Sequence, residues 1–111
     1  MKLEELAVRI GARVHGQPNG ARVSIDQVYA GDRISDLLAA AGEHTLLVTN
    51  LASSHLLRVA ELMDIPGICL VNGQQPDEAM LAAASEHGTQ VLVSPCGLFE
   101  TCGRLYKCLG A

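Results

Sequence analysis

The sequence predicts a single small α/β domain with a mainly parallel sheet of about four or five strands and helices packed on the sheet. Short apolar runs alternate with segments of helical periodicity, in the core order β-α-β-α-β-α. This alternation is typical of parallel strands joined by right-handed crossover helices. The 111 residues suffice for one domain whose core needs no disulfide or metal.

Residues 45–72 give the clearest βαβ pattern and lie at the centre of the predicted sheet. The first predicted strand covers residues 46–48, and the second covers residues 68–71. The helix between them carries an apolar face at helical spacing, made of Leu56, Val59, Ala60 and Met63. The unit therefore predicts two parallel strands with one covering helix.

Before this unit, the sequence predicts a helix, two strands and a second, short helix. The first helix ends at Gly11, a residue suited to a left-handed C-cap. Its apolar stripe consists of Leu3, Leu6, Ala7 and Ile10. A short strand at residues 12–15 precedes the turn-rich residues 16–20, and a second strand covers residues 22–30. Ser35 is predicted to cap the short helix that follows.

After the central unit, the sequence predicts a helix, a buried strand and a final helix. The first of these helices begins with Pro76 at its first position and ends at Gly88. Its sheet-facing side is made of Ala79, Met80, Ala83 and Ala84. Residues 91–93 form the strand. The final helix is predicted to bury a stripe formed by Leu98, Phe99, Cys102, Leu105, Tyr106 and Leu109.

Composition and charge narrow the class of protein. The net charge is −4, the basic residues are scattered, and one Phe and two Tyr are the only aromatic residues. A nucleic-acid partner is therefore not expected, because neither a basic face nor a stacking platform is present. No apolar run reaches the roughly 18 residues of a membrane span, and acidic Glu4 and Glu5 replace the apolar region of a signal peptide. We expect a cytoplasmic protein with reduced thiols and no membrane partner.

The loops that follow the predicted strands carry the candidate ligand-binding residues. In an open parallel sheet, ligands usually bind at the carboxyl ends of the strands, where helix N-termini favour an anion. The candidates are Asp32, Ser35, Thr49, Asn50, His55, Asn72, Gly73 and Ser94. The alternative is that these residues only cap helices and form turns. Neither the Walker pattern nor a dinucleotide fingerprint occurs, so the ligand class stays open.

Catalytic and metal-binding patterns are weak. The four cysteines form no Cys-x-x-Cys pair and fit no common zinc or iron–sulfur spacing, so no metal and no cofactor are predicted. Cys96 is the redox candidate, because a helix dipole just after it would lower the pKa of its thiol. A weaker alternative is a hydrolase or transferase that uses Asp32, Asp36 and His55, which requires these three side chains in one pocket.

The chain resembles the DRTGG domain family along nearly its whole length. The resemblance rests on Gly31-Asp32 with residues 35–38, on residues 45–50, on Val71-Asn72-Gly73 with residues 76–78, and on Phe99-Glu100 with residues 103–106. The literal Asp-Arg-Thr-Gly-Gly string is missing, because Ile34 and Ser35 follow Asp32-Arg33. The chain looks most similar to stand-alone members, some of which are associated with iron-only hydrogenase gene clusters.

The resemblance implies one α/β domain over residues 1–111, similar to the N-terminal domain of HPr kinase/phosphorylase. Related domains in CBS-containing pyrophosphatases and in phosphotransacetylases look regulatory or assembly-related, and the family supplies no catalytic residues. The leading prediction is a non-enzymatic regulatory or assembly module that binds a small anionic or nucleotide-type ligand. It forms a homodimer or larger homo-oligomer and acts on a partner enzyme. The alternative is a redox or metal-handling accessory of a hydrogenase system that uses Cys96.

Overall fold

A computed structural model describes residues 1–15, 24–86 and 89–109 of the chain. The strands are β1 (Arg13–His15), β2 (Gln27–Ala30), β3 (Thr45–Thr49), β4 (Gly67–Leu70) and β5 (Gln90–Val93). The helices are α1 (Leu3–Ile10), α2 (Ile34–Ala40), α3 (Ser54–Leu62), α4 (Glu78–Glu86) and α5 (Leu98–Cys108). No helix in these ranges is long and apolar enough to cross a membrane.

The strands form one sheet in the order β1-β5-β4-β3-β2. Strands β2 to β5 are parallel, and β1 pairs antiparallel with β5. In the register of the central strands, Leu47 of β3 lies between Tyr29 and Ile68 of its two neighbours. The predicted α/β class with a mainly parallel sheet is therefore confirmed.

Two apolar cores lie on opposite faces of the sheet. Because β2 to β5 follow one another in space as in sequence, right-handed crossovers place α2, α3 and α4 on one face. The core on that face includes Leu37, Leu47, Leu56, Leu57, Ile68, Leu70, Met80 and Val91. The other face packs against α1 and α5, and its core includes Leu3, Leu6, Ile10, Leu46, Val48, Cys69, Leu92 and Leu105. Strands β3, β4 and β5 are thus buried on both sides, as their continuous apolar runs predict.

The N-terminal helix and strand agree with the sequence. All four residues of the predicted stripe of α1 are buried. Gly11 ends the helix at φ +72°, a left-handed conformation that favours glycine, and its N–H points to the carbonyl oxygens of Ala7 and Val8. Strand β1 follows and pairs its Val14 with Leu92.

The second strand and the short helix differ from their predictions. Residues 16–23, which hold the predicted turn at 16–20 and the start of the predicted strand, lie outside the described residues. Strand β2 begins only at Gln27. Two residues earlier, Ile25 donates its N–H to the carbonyl oxygen of Met1, so its backbone pairs with the N-terminus and not with β3. Ser35 lies inside the first turn of α2 and does not cap it; Arg33 occupies the N-cap position, without a side-chain hydrogen bond.

Helices α3 and α4 are present, with shifts in their buried faces and ends. In α3, Leu57 is buried, whereas Met63, which was predicted to be buried, is 39% exposed. Helix α4 starts at Glu78, later than predicted, because Asp77 caps it by accepting the N–H of Met80 at 2.8 Å. Ala79 is exposed, and the predicted end at Gly88 lies outside the described part of the chain.

The buried side of α5 is not the predicted stripe. Of the six residues in that stripe, Leu105 is buried, whereas Phe99 is 93% exposed and Tyr106 is 67% exposed. The sheet-facing side is set by Thr101 and Leu105, four residues apart and both buried. Thr101 tolerates this position because its hydroxyl is hydrogen-bonded to Ser94. The two exposed rings therefore lie on a surface that no other part of the described chain covers.

Candidate functional site

A crevice opens at the carboxyl ends of β2, β3 and β4. The connections after these strands turn toward α2, α3 and α4 on one face, whereas the connection after β5 leads to α5 on the other. This divergence leaves space between them, as in other open parallel sheets. The cavity has a volume of about 250 Å³ and is lined by Gly31, Asp32, Asn50, Val71, Asn72 and Leu98.

Asn72 is held in the crevice by a tight turn. Asn72 and Gly73 have φ values of +59° and +65°, and the N–H of Gln74 donates to the carbonyl oxygen of Val71 at 3.1 Å. These features define a type I′ turn, for which Asn-Gly is the favoured pair. The turn fixes the backbone of Asn72, and so the point from which its amide reaches the cavity.

The same turn joins the two connections that form the crevice walls. The N–H of Asn72 donates to the carbonyl oxygen of Cys96 at 2.7 Å, and that of Gly73 donates to Ser94 at 2.8 Å. A Cβ atom on Gly97 would lie 3.4 Å from Oδ1 of Asn72, so the absent side chain leaves room for this amide. The start of α5 and the end of β4 therefore form one continuous wall.

A buried hydroxyl pair stabilises the connection between β5 and α5. The oxygens Oγ of Ser94 and Oγ1 of Thr101 lie 2.8 Å apart, and both residues are fully buried. Ser94 also accepts the N–H of Cys96 at 3.3 Å, and Thr101 donates to the carbonyl oxygen of Cys96 at 3.3 Å. These contacts satisfy polar groups that would otherwise be buried without partners.

The lining of the crevice combines amide, carboxylate and apolar groups. Asp32 is the one charged residue among the described residues of this lining, and Asn50 and Asn72 each offer an amide donor and an amide acceptor. Val71 and Leu98 add apolar surface. A carboxylate without a lining cation disfavours a phosphate group inside the cavity. The crevice therefore suits an uncharged, hydrogen-bonding group of a ligand.

Three of the predicted ligand-binding residues meet in this crevice, namely Asp32, Asn50 and Asn72. Gly73 lines a separate hollow beside Gly11 and Arg13. Ser35 and His55 lie on the exposed first turns of α2 and α3 and are not among the residues that line the crevice. Their part in ligand binding stays a prediction.

Thr49 and Ser94, two further predicted residues, lie in the interior. Thr49 is fully buried, and its Oγ1 accepts the N–H of Leu51 at 3.2 Å. Ser94 belongs to the hydroxyl pair described above. Their observed contacts are with the protein itself, so these two residues shape the loops on which the lining residues stand.

The sequence candidates did not include Gly31, Val71 and Leu98, which also line the crevice. Gly31 and Val71 directly adjoin predicted site residues, so the rule on strand ends already pointed to them. Leu98 carried no such signal, because a leucine at the start of a helix is usually a core residue.

The arrangement does not support the catalytic alternatives. Asp32 lines the crevice, but Asp36 and His55 do not, and Asp36 forms an exposed ion pair with Arg33 at 3.7 Å. Among the residues that the structure describes, no group of three His, Cys, Asp or Glu side chains is placed to hold a metal ion. The minimum requirement of the hydrolase or transferase alternative is therefore not met.

Cys69, Cys96 and Cys102 are free thiols with raised pKa values rather than activated nucleophiles. The side chain of Glu100 raises the pKa of the Cys96 thiol above its ordinary value, so the predicted lowering by the helix dipole is wrong. Burial raises the pKa of Cys69 to about 12 and also raises that of Cys102. A raised pKa leaves little thiolate at neutral pH, which is unfavourable for a redox function of Cys96.

Fold and site together define a small α/β domain with a polar crevice at the carboxyl edge of its parallel sheet. The fold is similar to a structure of the CBS and DRTGG domains of the regulatory region of Clostridium perfringens pyrophosphatase, in complex with its activator diadenosine tetraphosphate, with a TM-score of 0.77 and 11% sequence identity. The match covers 94% of this chain but only 45% of that chain. A DRTGG-like fold is therefore confirmed. No protein-family model matches the sequence, and the search of curated proteins gives no match.

Proposed function

We propose that this protein is a non-enzymatic regulatory module that binds an adenine-nucleotide type of ligand at the carboxyl edge of its sheet. The observation that carries the proposal is the crevice, in which Asp32, Asn50 and Asn72 converge from three separate loops. Convergence of a few polar groups on a partly apolar cavity is the usual form of a small-molecule site.

The lining favours the base of the nucleotide rather than its phosphates. An asparagine amide can pair with the adenine edge through one donor and one acceptor, and two asparagines line this cavity. At about 250 Å³, the cavity is smaller than most sites for a complete ligand, which are roughly 300–1,000 Å³. The phosphates would remain outside, away from the carboxylate of Asp32.

The likeness to a regulatory region supports this proposal. The similar structure contains an activator with adenosine groups, in the regulatory part of an enzyme. By analogy, this module acts on a partner enzyme. Self-association into a homodimer or larger homo-oligomer is part of the proposal and remains a prediction from the sequence. A cytoplasmic location and a relation to the stand-alone, hydrogenase-associated members of the DRTGG family remain predictions from the sequence.

A thermal-shift measurement with ATP and with diadenosine tetraphosphate tests the proposal. A ligand that binds the native state stabilises it, by about 2.7 kcal/mol at 100 times Kd. For a domain of this size, we expect Tm to rise by roughly 10 °C under that condition. If AMP raises Tm as much as these two ligands do, the protein recognises the adenosine part that all three share and not the additional phosphates.

Two variants connect the expected shift to the crevice. Asn72→Gly removes the amide but accepts the left-handed φ of +59°, and Asn50→Ala removes the second amide. Each variant should reduce the shift by more than half, whereas Gln74→Ala, in the same turn but outside the lining, should leave it unchanged. A shift that survives both crevice variants, or no shift with any adenine nucleotide, would reject the proposal.

A further inference from the structure

One side of α5 is exposed, although it carries two of the three aromatic residues of the chain. Phe99 and Tyr106 are 93% and 67% exposed, and their spacing of seven residues places them on the same side of the helix. Cys102 and Gly103 lie between them on that side. We refer to Phe99, Cys102, Gly103 and Tyr106 as the α5 flank. Exposed apolar surface of this kind is typical of an interaction site.

The α5 flank borders an apolar groove over the edge of the sheet. Of the described helices, α1 and α5 pack on this face, and a groove remains between α5 and the surface of β2. The groove has a volume of about 460 Å³ and is lined by Asp26, Val28, Ala30, Cys102, Tyr106 and Leu109. Side chains of both α5 and β2 therefore expose apolar surface that a partner could cover.

We propose that the α5 flank is the surface through which two copies of this chain associate, with their α5 helices packed antiparallel. This proposal rests on the proposed function, which includes self-association, and it names the surface through which the copies would associate. A two-fold axis between Cys102 and Gly103 sets Phe99 of each copy beside Tyr106 of the other, because the two ring positions lie at equal distances from that axis. An isologous contact of this kind closes as a dimer.

The shape of the flank is self-complementary in this arrangement. A Cβ atom on Gly103 would meet nothing within 4 Å, so the helix has a depression at the centre of the flank. A second helix can approach closely there, within the usual 8–10 Å between packed helix axes. The apolar groove lies at the level of Tyr106, where the antiparallel arrangement places the exposed ring of Phe99 from the second copy.

The charges beside the flank favour an antiparallel second copy. Glu100 and Lys107 are both exposed and, seven residues apart, lie on the same side of α5, next to Gly103. An antiparallel dimer sets Glu100 of each copy near Lys107 of the other. A parallel dimer would instead place like charges together, at an electrostatic cost.

The available area is compatible with a stable dimer. A standard interface buries roughly 800 Å² per partner, and each aromatic residue supplies roughly 150–250 Å². Phe99 and Tyr106 thus provide about half of the area, and the rest must come from the groove and from neighbouring residues of α5. We therefore expect the apolar residues of β2 that line the groove to be part of the dimer contact.

Sedimentation velocity on the whole protein, over a concentration series, tests this surface. Phe99→Asp puts a charge against the apolar groove and Tyr106 of the other copy, and should raise the dimer dissociation constant about 30-fold or more. Leu62→Asp is the matched control, because Leu62 is 84% exposed and lies on α3, on the opposite face of the sheet. The control should leave the dissociation constant unchanged, and both variants should keep the wild-type far-UV circular dichroism.

A charge exchange tests the antiparallel arrangement. Glu100→Lys and Lys107→Glu should each weaken the dimer roughly threefold to tenfold. The double variant restores opposite charges across the two-fold axis and should return the dissociation constant to near the wild-type value. If the double variant is no better than the single ones, the antiparallel pairing is wrong.

The remaining outcomes separate this proposal from the proposed function. If Phe99→Asp stays as dimeric as the wild type, self-association stands but the α5 flank is not its surface. If the wild type is monomeric at its highest soluble concentration, self-association itself fails and the flank proposal fails with it. Nucleotide binding is measured independently by thermal shift and depends on neither result.

Discussion

Leu47→Ala should lower the free energy of unfolding by roughly 2–5 kcal/mol, the usual cost of a large cavity in a core. Leu47 is fully buried in β3, the strand between β2 and β4, and belongs to the core that also includes Leu56 and Leu57. Because a small domain has only about 5–15 kcal/mol of stability, this loss should be visible as a large shift of the urea midpoint.

The matched control for this variant is Leu62→Ala. It deletes the same atoms from a leucine that is 84% exposed, so the free energy of unfolding should change by less than about 0.5 kcal/mol. Equal losses for the two variants would contradict the placement of Leu47 between the sheet and the helices.

Ser94→Ala should lower the free energy of unfolding by about 1–3 kcal/mol. The variant removes one of the two hydrogen-bond partners of the buried Thr101 hydroxyl and the acceptor for the N–H of Cys96. Chemical denaturation of Ser94→Ala, Thr101→Val and the double variant measures their coupling. We expect the double variant to lose less than the sum of the single losses, because the two hydroxyls contact each other directly and each single variant already removes that contact.

The same variant separates two roles of Ser94. The sequence predicts a ligand contact, whereas its side chain bonds to Thr101 in the interior. A structural role implies lower stability with a nearly unchanged nucleotide Kd. Unchanged stability with a strongly weakened Kd would instead favour the ligand contact. Ser35→Ala, a change at an exposed serine in α2, provides the reference for a substitution without a buried partner.

The central part of the fold could be predicted because its signals are local. Strands β3 and β4 are continuous apolar runs, and α3 has apolar residues at helical spacing, so their types follow from periodicity alone. The starts of α2 and α4 were misplaced, because the choice between neighbouring polar residues as the cap depends on loop geometry.

The orientation of α5 could not be predicted, because it depends on a contact with a residue outside the helix. The spacing of apolar residues within the helix does not show that contact. The helical pattern places Phe99 and Tyr106 in the buried stripe, which does not include the polar Thr101. The structure reverses this, since Ser94 at the end of β5 provides the partner that lets Thr101 face the sheet. A buried polar pair of this kind is not visible in a hydrophobic pattern.

The edge of the sheet that carries the crevice could be predicted, but the residues that line the crevice could not be predicted in detail. The rule that ligands bind at the carboxyl ends of parallel strands points to the edge at which Asp32, Asn50 and Asn72 line one crevice. The rule does not say which side chains point outward. Thr49 therefore looked like its neighbour Asn50 in sequence, although it is fully buried.

Backbone amide shift mapping by NMR, with ATP and diadenosine tetraphosphate added to the labelled protein, tests nucleotide binding in the crevice most directly. Binding there predicts that the largest shift changes fall on Gly31, Asp32, Asn50, Asn72 and Leu98, which converge from four separate segments of the chain. Spectra without change, or changes centred on the groove between α5 and β2, would contradict the account.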